Sequence, residues 1–195
     1  SKSTIQHVLA ALKDFFFWLS REPGYRSKIK ITDTEYFNYS EKDSRTARAK
    51  TIKPFPTLEQ VRSAIQAMPS QNDIERRDRA LFSLAILTGM RDSALISLRL
   101  KNIDIQSEFI DQNPNQVKTK ASKQIFTYWA PLGDDLKNIV KEWVAYLRTD
   151  LLYGNDDPVF PRTKVGLTDQ AEFSAVGLEP TCWATAATVR KIMRD

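Results

Sequence analysis

A single cysteine, Cys182, leaves the chain without a partner for an internal disulfide. The single histidine, His7, lies about 175 residues away in sequence, so a zinc site built from Cys and His has no support, and both residues read as structural. No metal and no cofactor is expected. No apolar run approaches the roughly 18 residues that a membrane span needs. The start, SKSTIQHVLA, also lacks the basic region followed by a continuous apolar stretch that marks a signal peptide. A cytoplasmic protein with no membrane partner is the expectation.

What is present is the composition of a globular protein, 42% hydrophobic and 27% charged over 195 residues, enough for one large domain or one domain with part of another. The net charge of +5 hints at a polyanionic partner, and its distribution says more than its size. Residues 1–53 carry 11 Lys and Arg against 6 Asp and Glu, whereas residues 54–195 carry 18 of each. The stretch KDSRTARAKTIK, Lys42 to Lys53, holds five bases and one acid. It reads either as a solvated linker or as a contact to a phosphate backbone, with Arg45, Arg48, Lys50 and Lys53 as the contacting side chains.

The periodicity predicts a helix over Thr4 to Ser20, with Ser3 or Thr4 as its N-cap and Pro23-Gly24 as its stop. Phe17 and Trp18 widen its apolar stripe beyond what one packing partner covers, which suggests that residues preceding Ser1 belong to the natural protein. Residues 25–53 read as a short helix or turn and then an extended linker, in which Tyr36, Phe37 and Tyr39 either anchor the chain or stack on nucleic acid. Pro56-Thr57 opens a new helix with a capping box at Glu59-Gln60, so a domain boundary is placed near residue 54. Asn72 or Asp73 caps the next helix, Gly89 closes it, and Asp92 or Ser93 caps a short helix bearing Leu95 and Leu98. After Leu100 the period falls towards two, giving three short antiparallel strands around Ile103, Phe109 and Ile125 to Trp129. A helix over Asp134 to Arg148 follows, and another runs from Pro180 or Thr181 to Arg194. The fold class is mainly α with a small three-stranded antiparallel sheet, α+β.

Three features occur in order: TGMR at 88–91 with SLRLKNIDI behind it, the lysine-rich turn VKTKASK at 117–123 leading to YWAPLG, and the LGDDL helix with VFP after it. From Leu58 to about Arg194 the chain thereby resembles the catalytic domain of the tyrosine recombinases, the phage-type integrases. The resemblance implies three parts: residues 1–40 as the end of a helical core-binding domain, 41–53 as a basic interdomain linker, and 54–195 as the larger part of the catalytic domain. It implies site-specific recombination or integration of double-stranded DNA. A tyrosine attacks the scissile phosphate, giving a 3′-phosphotyrosyl bond and a free 5′-hydroxyl, and rejoining reverses the step without metal or nucleotide. A homotetramer on DNA, in a bacterial cytoplasm or nucleoid and encoded by a phage or mobile element, is further implied.

Residue by residue, the resemblance makes Arg91 the first catalytic arginine. A guanidinium leaving a rigid corner can donate two parallel hydrogen bonds to a phosphate and offset charge as it builds. The family's general acid is a lysine on this β-turn, here Lys120, chosen because Lys118 would face away from Thr119 on a regular strand. Lys123 is second, and Lys118 and Lys123 are assigned to phosphate contacts. A lysine serves as an acid when it is held close to the leaving oxygen and nearby arginines, by like-charge repulsion, make it yield its proton. Where many members carry an acid three positions after the arginine, this chain has Ala94, with Asp92 as the available support. No histidine follows His7 and no tyrosine follows Tyr153, so the family's H-x-x-R box and nucleophile are expected beyond residue 195 and the chain alone is expected to be inactive. Lys191 to Arg194 matches K-x-x-R only formally. The alternative reading is a non-catalytic DNA-binding module or regulator in which TGMR is merely a joint between helices. A further one is a helical interaction domain with no DNA role.

Overall fold

The computed structural model describes residues 2–49, 54–167 and 172–194. They divide into two compact units, residues 1–55 and 56–195. In the first, α1 (Lys2–Leu19) is followed by a 3-10 turn (Ile31–Phe37) and α2 (Glu41–Arg48). The helix α1 thus begins ahead of Ser3 and Thr4. Phe16 stacks on Phe37 with ring centroids 5.1 Å apart, and Lys2 pairs with Asp43 at 2.7 Å, so the turn and α2 fold back on α1. The start of the stretch expected as a linker, residues 41–48, is helical. Ser40 accepts a hydrogen bond from the Asp43 amide, and Glu41 and Asp43 lie in the positive first turn, a local start signal that the basic composition of the region concealed.

The second unit is built around α4 (Asp73–Thr88), packed against α3 (Leu58–Ala67) on one side and α6 (Asp134–Thr149) on another. Both α3 and α4 open with a complete capping box, Thr57 with Gln60 and Asn72 with Glu75. Leu81, Leu84 and Leu87 of α4 meet Leu136, Val140, Trp143 and Leu147 of α6 in the core, joined by Leu95, Leu98, Ile110 and Phe160. The indole of Trp143 donates to the Val159 carbonyl at 2.8 Å, which seats the chain after α6 against the same core.

Strands β1 (Ile103–Asp104), β2 (Phe109–Gln112) and β3 (Ile125–Tyr128) form the antiparallel sheet in sequence order. Ile110 faces the core opposite Thr127, while Phe109, Phe126 and Tyr128 cluster on the outer face. The β1–β2 turn puts Glu108 at a φ of 49°, and its carboxylate accepts from Lys137 and Lys141 of α6. This double ion pair ties sheet to helix and holds the Glu108 carboxyl below the usual carboxylate range, chiefly through Lys137.

Two further elements were not anticipated. Strands β4 (Arg162–Leu167) and β5 (Phe173–Glu179) pair antiparallel as a second sheet, with a bulge at Lys164/Val165. The terminal helix, expected from residue 180 or 181, is only α7 (Ala187–Ile192). Its missing first turns are explained by this sheet: the Thr181 carbonyl accepts from the Arg162 amide at 2.9 Å, so this stretch extends the strand ladder and is unavailable to a helix. The fold is therefore α+β as expected, with a strand pair added to the three-stranded sheet.

Arg77 holds the second sheet to α4. Its side chain is 2% exposed, pairs with Asp78 at 2.7 Å, donates to the Pro161 carbonyl and the Thr163 hydroxyl at 2.9 Å each, and lies 4.7 Å from the Trp183 ring centroid. Burial lowers the pKa of Arg77 and raises that of Asp78, each opposed by the charge of the other. Removing one member of a buried pair leaves the other uncompensated. Arg77→Ala is expected to lower the unfolding free energy by about 3–5 kcal/mol in denaturant titration. Glu108 supplies a pH signature of opposite character to a buried acid. Its carboxyl is easier to ionise folded than unfolded, so its stabilisation is present at neutral pH and lost as pH falls through the carboxylate range. Thermal unfolding across that range should show a flatter acid limb for Glu108→Gln than for the parent.

Candidate phosphate-binding site

The site begins with the way α4 stops. Gly89 takes a left-handed φ of 60°, its amide donates to the Ala85 carbonyl at 2.9 Å, and the Thr88 hydroxyl donates to the Leu84 carbonyl at 2.6 Å. The chain turns sharply, and Arg91 sits in extended conformation at the N-cap position of α5 (Asp92–Leu95). The Arg91 carbonyl accepts from the Ala94 and Leu95 amides at 3.0 Å, and both side chains are buried. The backbone at Arg91 is thus fixed on both sides while its guanidinium is exposed and makes no hydrogen bond or ion pair among the described residues.

This corrects two expectations. Neither Asp92 nor Ser93 caps α5, because Arg91 occupies the cap position and the Asp92 carboxylate accepts from the adjacent Ser93 amide at 2.7 Å. Asp92 does not support Arg91 either. Its other oxygen pairs with Arg190 of α7 at 2.7 Å, which holds the Asp92 carboxyl below the usual range.

The lysine turn packs beside this corner. Val117 is buried, the Lys118 amide donates to the Ser97 hydroxyl at 2.8 Å, and the Ser93 hydroxyl donates to the Lys118 carbonyl at 3.4 Å. Residues 117–119 are not a regular strand, so the alternation argument that separated Lys118 from Lys120 does not apply. Both lysines line one cavity of about 370 Å³ with Arg91, Thr119, Gln112 and Thr127. The ammonium of Lys118 donates to the Ala184 carbonyl at 3.3 Å, whereas that of Lys120 makes no hydrogen bond or ion pair among the described residues. Lys123 is exposed and outside the lining. The turn that separates them, Lys120–Ser122, places Ala121 and Ser122 at φ values of 55° and 51°.

Among the described residues, three cations and no carboxylate line this cavity, and the remaining polar side chains are hydroxyls and one amide, with Gln112 donating to Thr127 at 2.7 Å. Such a lining attracts a single anion and can donate to it from several sides. No tyrosine lines it. Tyr128 is on the opposite face of β3 from Thr127, the Tyr146 hydroxyl donates to Asp73 at 2.8 Å, and Tyr153 is half-buried against the core. Thr119 was not singled out from sequence, and its hydroxyl is buried at the cavity wall without a hydrogen-bond partner among the described residues. The Asp92–Arg190 pair was equally invisible, since the two residues are 98 positions apart.

The basic stretch stands differently. Arg45 is exposed on α2 and pairs with Glu41 one turn away at 3.1 Å. The Arg48 side chain, Lys50 and Lys53 lie outside the described residues. Among the described residues no cluster of His, Cys, Asp and Glu could hold a metal, and no helix is long and apolar enough to cross a membrane. Burial raises the pKa of the Cys182 thiol.

Comparison with known proteins places these elements in a family. A sequence model described as the phage integrase family matches residues 55–176, more than half of the chain. The tyrosine recombinase XerD of Pasteurella multocida is 28% identical over 156 residues, covering 79% of this chain and 46% of its own length. XerD of Haemophilus influenzae matches to the same extent, and tyrosine recombinase XerC of Natranaerobius thermophilus is 26% identical over 154 residues. The chain thus spans less than half the length of these relatives. Among solved structures, the XerA recombinase aligns over 96% of this chain and 60% of its own, with a TM-score of 0.48 and 15% identity. The family match, spanning the arginine corner, the sheet and the lysine turn, establishes that the chain belongs to the phage integrase family of tyrosine recombinases.

Proposed function

We propose that this chain is the DNA-holding wall of a site-specific recombinase, with residues 54–195 as the larger part of its catalytic domain, 41–53 as the interdomain linker and 1–40 as the end of a core-binding domain. The observation that carries the reading is the convergence of Arg91 and Lys120 on a cavity lined by cations and no acid. A scissile phosphodiester held there would take hydrogen bonds from the Arg91 guanidinium on its non-bridging oxygens. Lys120 would give its proton to the 5′-oxygen as the phosphorus–oxygen bond breaks, and would take it back on rejoining. Lys118 is the second cation at the phosphate, and Lys123 with Arg45, Arg48, Lys50 and Lys53 are proposed to contact the flanking backbone. The whole protein would cut and rejoin double-stranded DNA through a phosphotyrosine, as a tetramer on its sites.

We infer that none of the tyrosines of this chain is the nucleophile: among the described residues no tyrosine lines the cavity, and the sequence has none after Tyr153. The chain alone should therefore bind DNA without cutting it. The competing reading, a DNA-binding regulator with no catalytic parent, is favoured by the same absence and differs in leaving Lys120 without a role.

Fluorescence anisotropy on a labelled duplex across a salt series tests the phosphate assignment. Arg91→Ala should weaken binding and reduce the log-log salt slope by roughly 0.9, the value of one lost phosphate contact. An unchanged slope would remove Arg91 from the interface. Incubation with a nicked suicide duplex should give no covalent adduct, and an adduct on a denaturing gel would show that a tyrosine of this chain is competent after all.

A further inference from the structure

We propose that Arg190 is a positioning residue for the arginine corner, masking the Asp92 carboxylate so that a phosphate can approach Arg91. The inference rests on the reading of Arg91 as a phosphate ligand. Asp92 directly follows Arg91 in the chain and is outside the cavity lining, yet it is the acid nearest in sequence to a guanidinium that must receive an anion. A carboxylate so placed lies within roughly 10 Å of that anion, about one Debye length at 0.1 M ionic strength, where an uncompensated charge is still felt. Asp92 is compensated twice: Oδ1 accepts from the Ser93 amide at 2.7 Å, and Oδ2 from Arg190 Nε at 2.7 Å.

Geometry favours masking over bracing. Arg190 is 72% exposed and Asp92 29% exposed, and an ion pair this open adds little to stability. The corner is already fixed by the Gly89 turn and by the Ala94 and Leu95 amides on the Arg91 carbonyl, so it does not need Arg190 to hold its shape. What Arg190 changes is the charge presented beside Arg91. The segment that carries it also reaches the lysine turn, where the Ala184 carbonyl accepts from Lys118. One short stretch, residues 184–190, thereby contacts both the lysine turn and the residue that follows Arg91.

The test is the affinity of the full 195-residue chain for a labelled duplex at low salt, with thermal unfolding measured in parallel. Arg190→Ala should weaken binding about three- to tenfold, the effect of one uncompensated charge at this distance and intermediate dielectric, while the melting temperature stays unchanged. Arg190→Lys should keep parental affinity, because the charge remains. Arg190→Ala combined with Asp92→Asn should return to within about twofold of the parent, since the charge that needed masking is gone. A double variant as weak as Arg190→Ala would overturn masking and make Arg190 a direct DNA contact or a brace. A fall in melting temperature for Arg190→Ala that follows its affinity loss would do the same. Arg91→Ala separates the two levels: if it binds like the parent, the phosphate reading fails, and if it weakens binding while Arg190→Ala does not, the masking alone fails.

Discussion

The helix α4 is held at both ends, and most of what the second unit presents depends on that constraint. At its start the Asn72–Glu75 capping box closes the free amides, and at its end Gly89 alone can take the left-handed turn without a Cβ penalty. Between them Leu81, Leu84 and Leu87 are buried against α6, so the helix cannot slide or rotate without opening the core. Arg77 near one end secures the β4–β5 sheet, and Arg91 just beyond the other end projects into the cavity. A long side chain is only as well placed as its backbone, and this backbone is pinned by buried neighbours.

The two arginines illustrate how context divides one residue type between structure and chemistry. Arg77 is enclosed, its donors filled by Asp78, the Pro161 carbonyl and Thr163, and its plane set against Trp183. It has nothing left to offer a ligand. The Arg91 side chain is exposed and makes no hydrogen bond or ion pair among the described residues, and the acid next to it in sequence pairs with Arg190. The lysines divide in the same way, with the Lys118 ammonium donating to Ala184 and that of Lys120 making no hydrogen bond or ion pair among the described residues. Polar groups that are already satisfied stabilise the fold, and those left open define where an anion can be bound.

Local signals explain what was legible. The capping residues Thr57 and Asn72, the Gly89 stop, the period change after Leu100 and the amphipathic stripe of α6 each lie within a few residues of the feature they specify. Sequence reasoning faltered where partners are distant. The Thr181 carbonyl is taken by Arg162, which shortened the terminal helix, and the outward Val165, Leu167 and Phe173 disguise β4 and β5 as loop. Residues 41–48 went the other way: a charge-rich composition suggested linker, while Ser40 and Asp43 start a helix.

The order of motifs in the sequence was enough to indicate the family, because TGMR and the lysine turn are contiguous patterns and their spacing survives in the linear chain. The corner at Arg91 was also legible, since a helix that ends at Gly89 turns the chain sharply just before that residue. Which lysine is bonded, which acid faces which base, and that no tyrosine among the described residues lines the cavity were decided only by tertiary structure. Those facts depend on pairs such as Asp92 with Arg190 and Lys118 with Ala184, 98 and 66 positions apart. Periodicity reports the face on which a side chain lies, and only the packing of separate elements determines what it meets there.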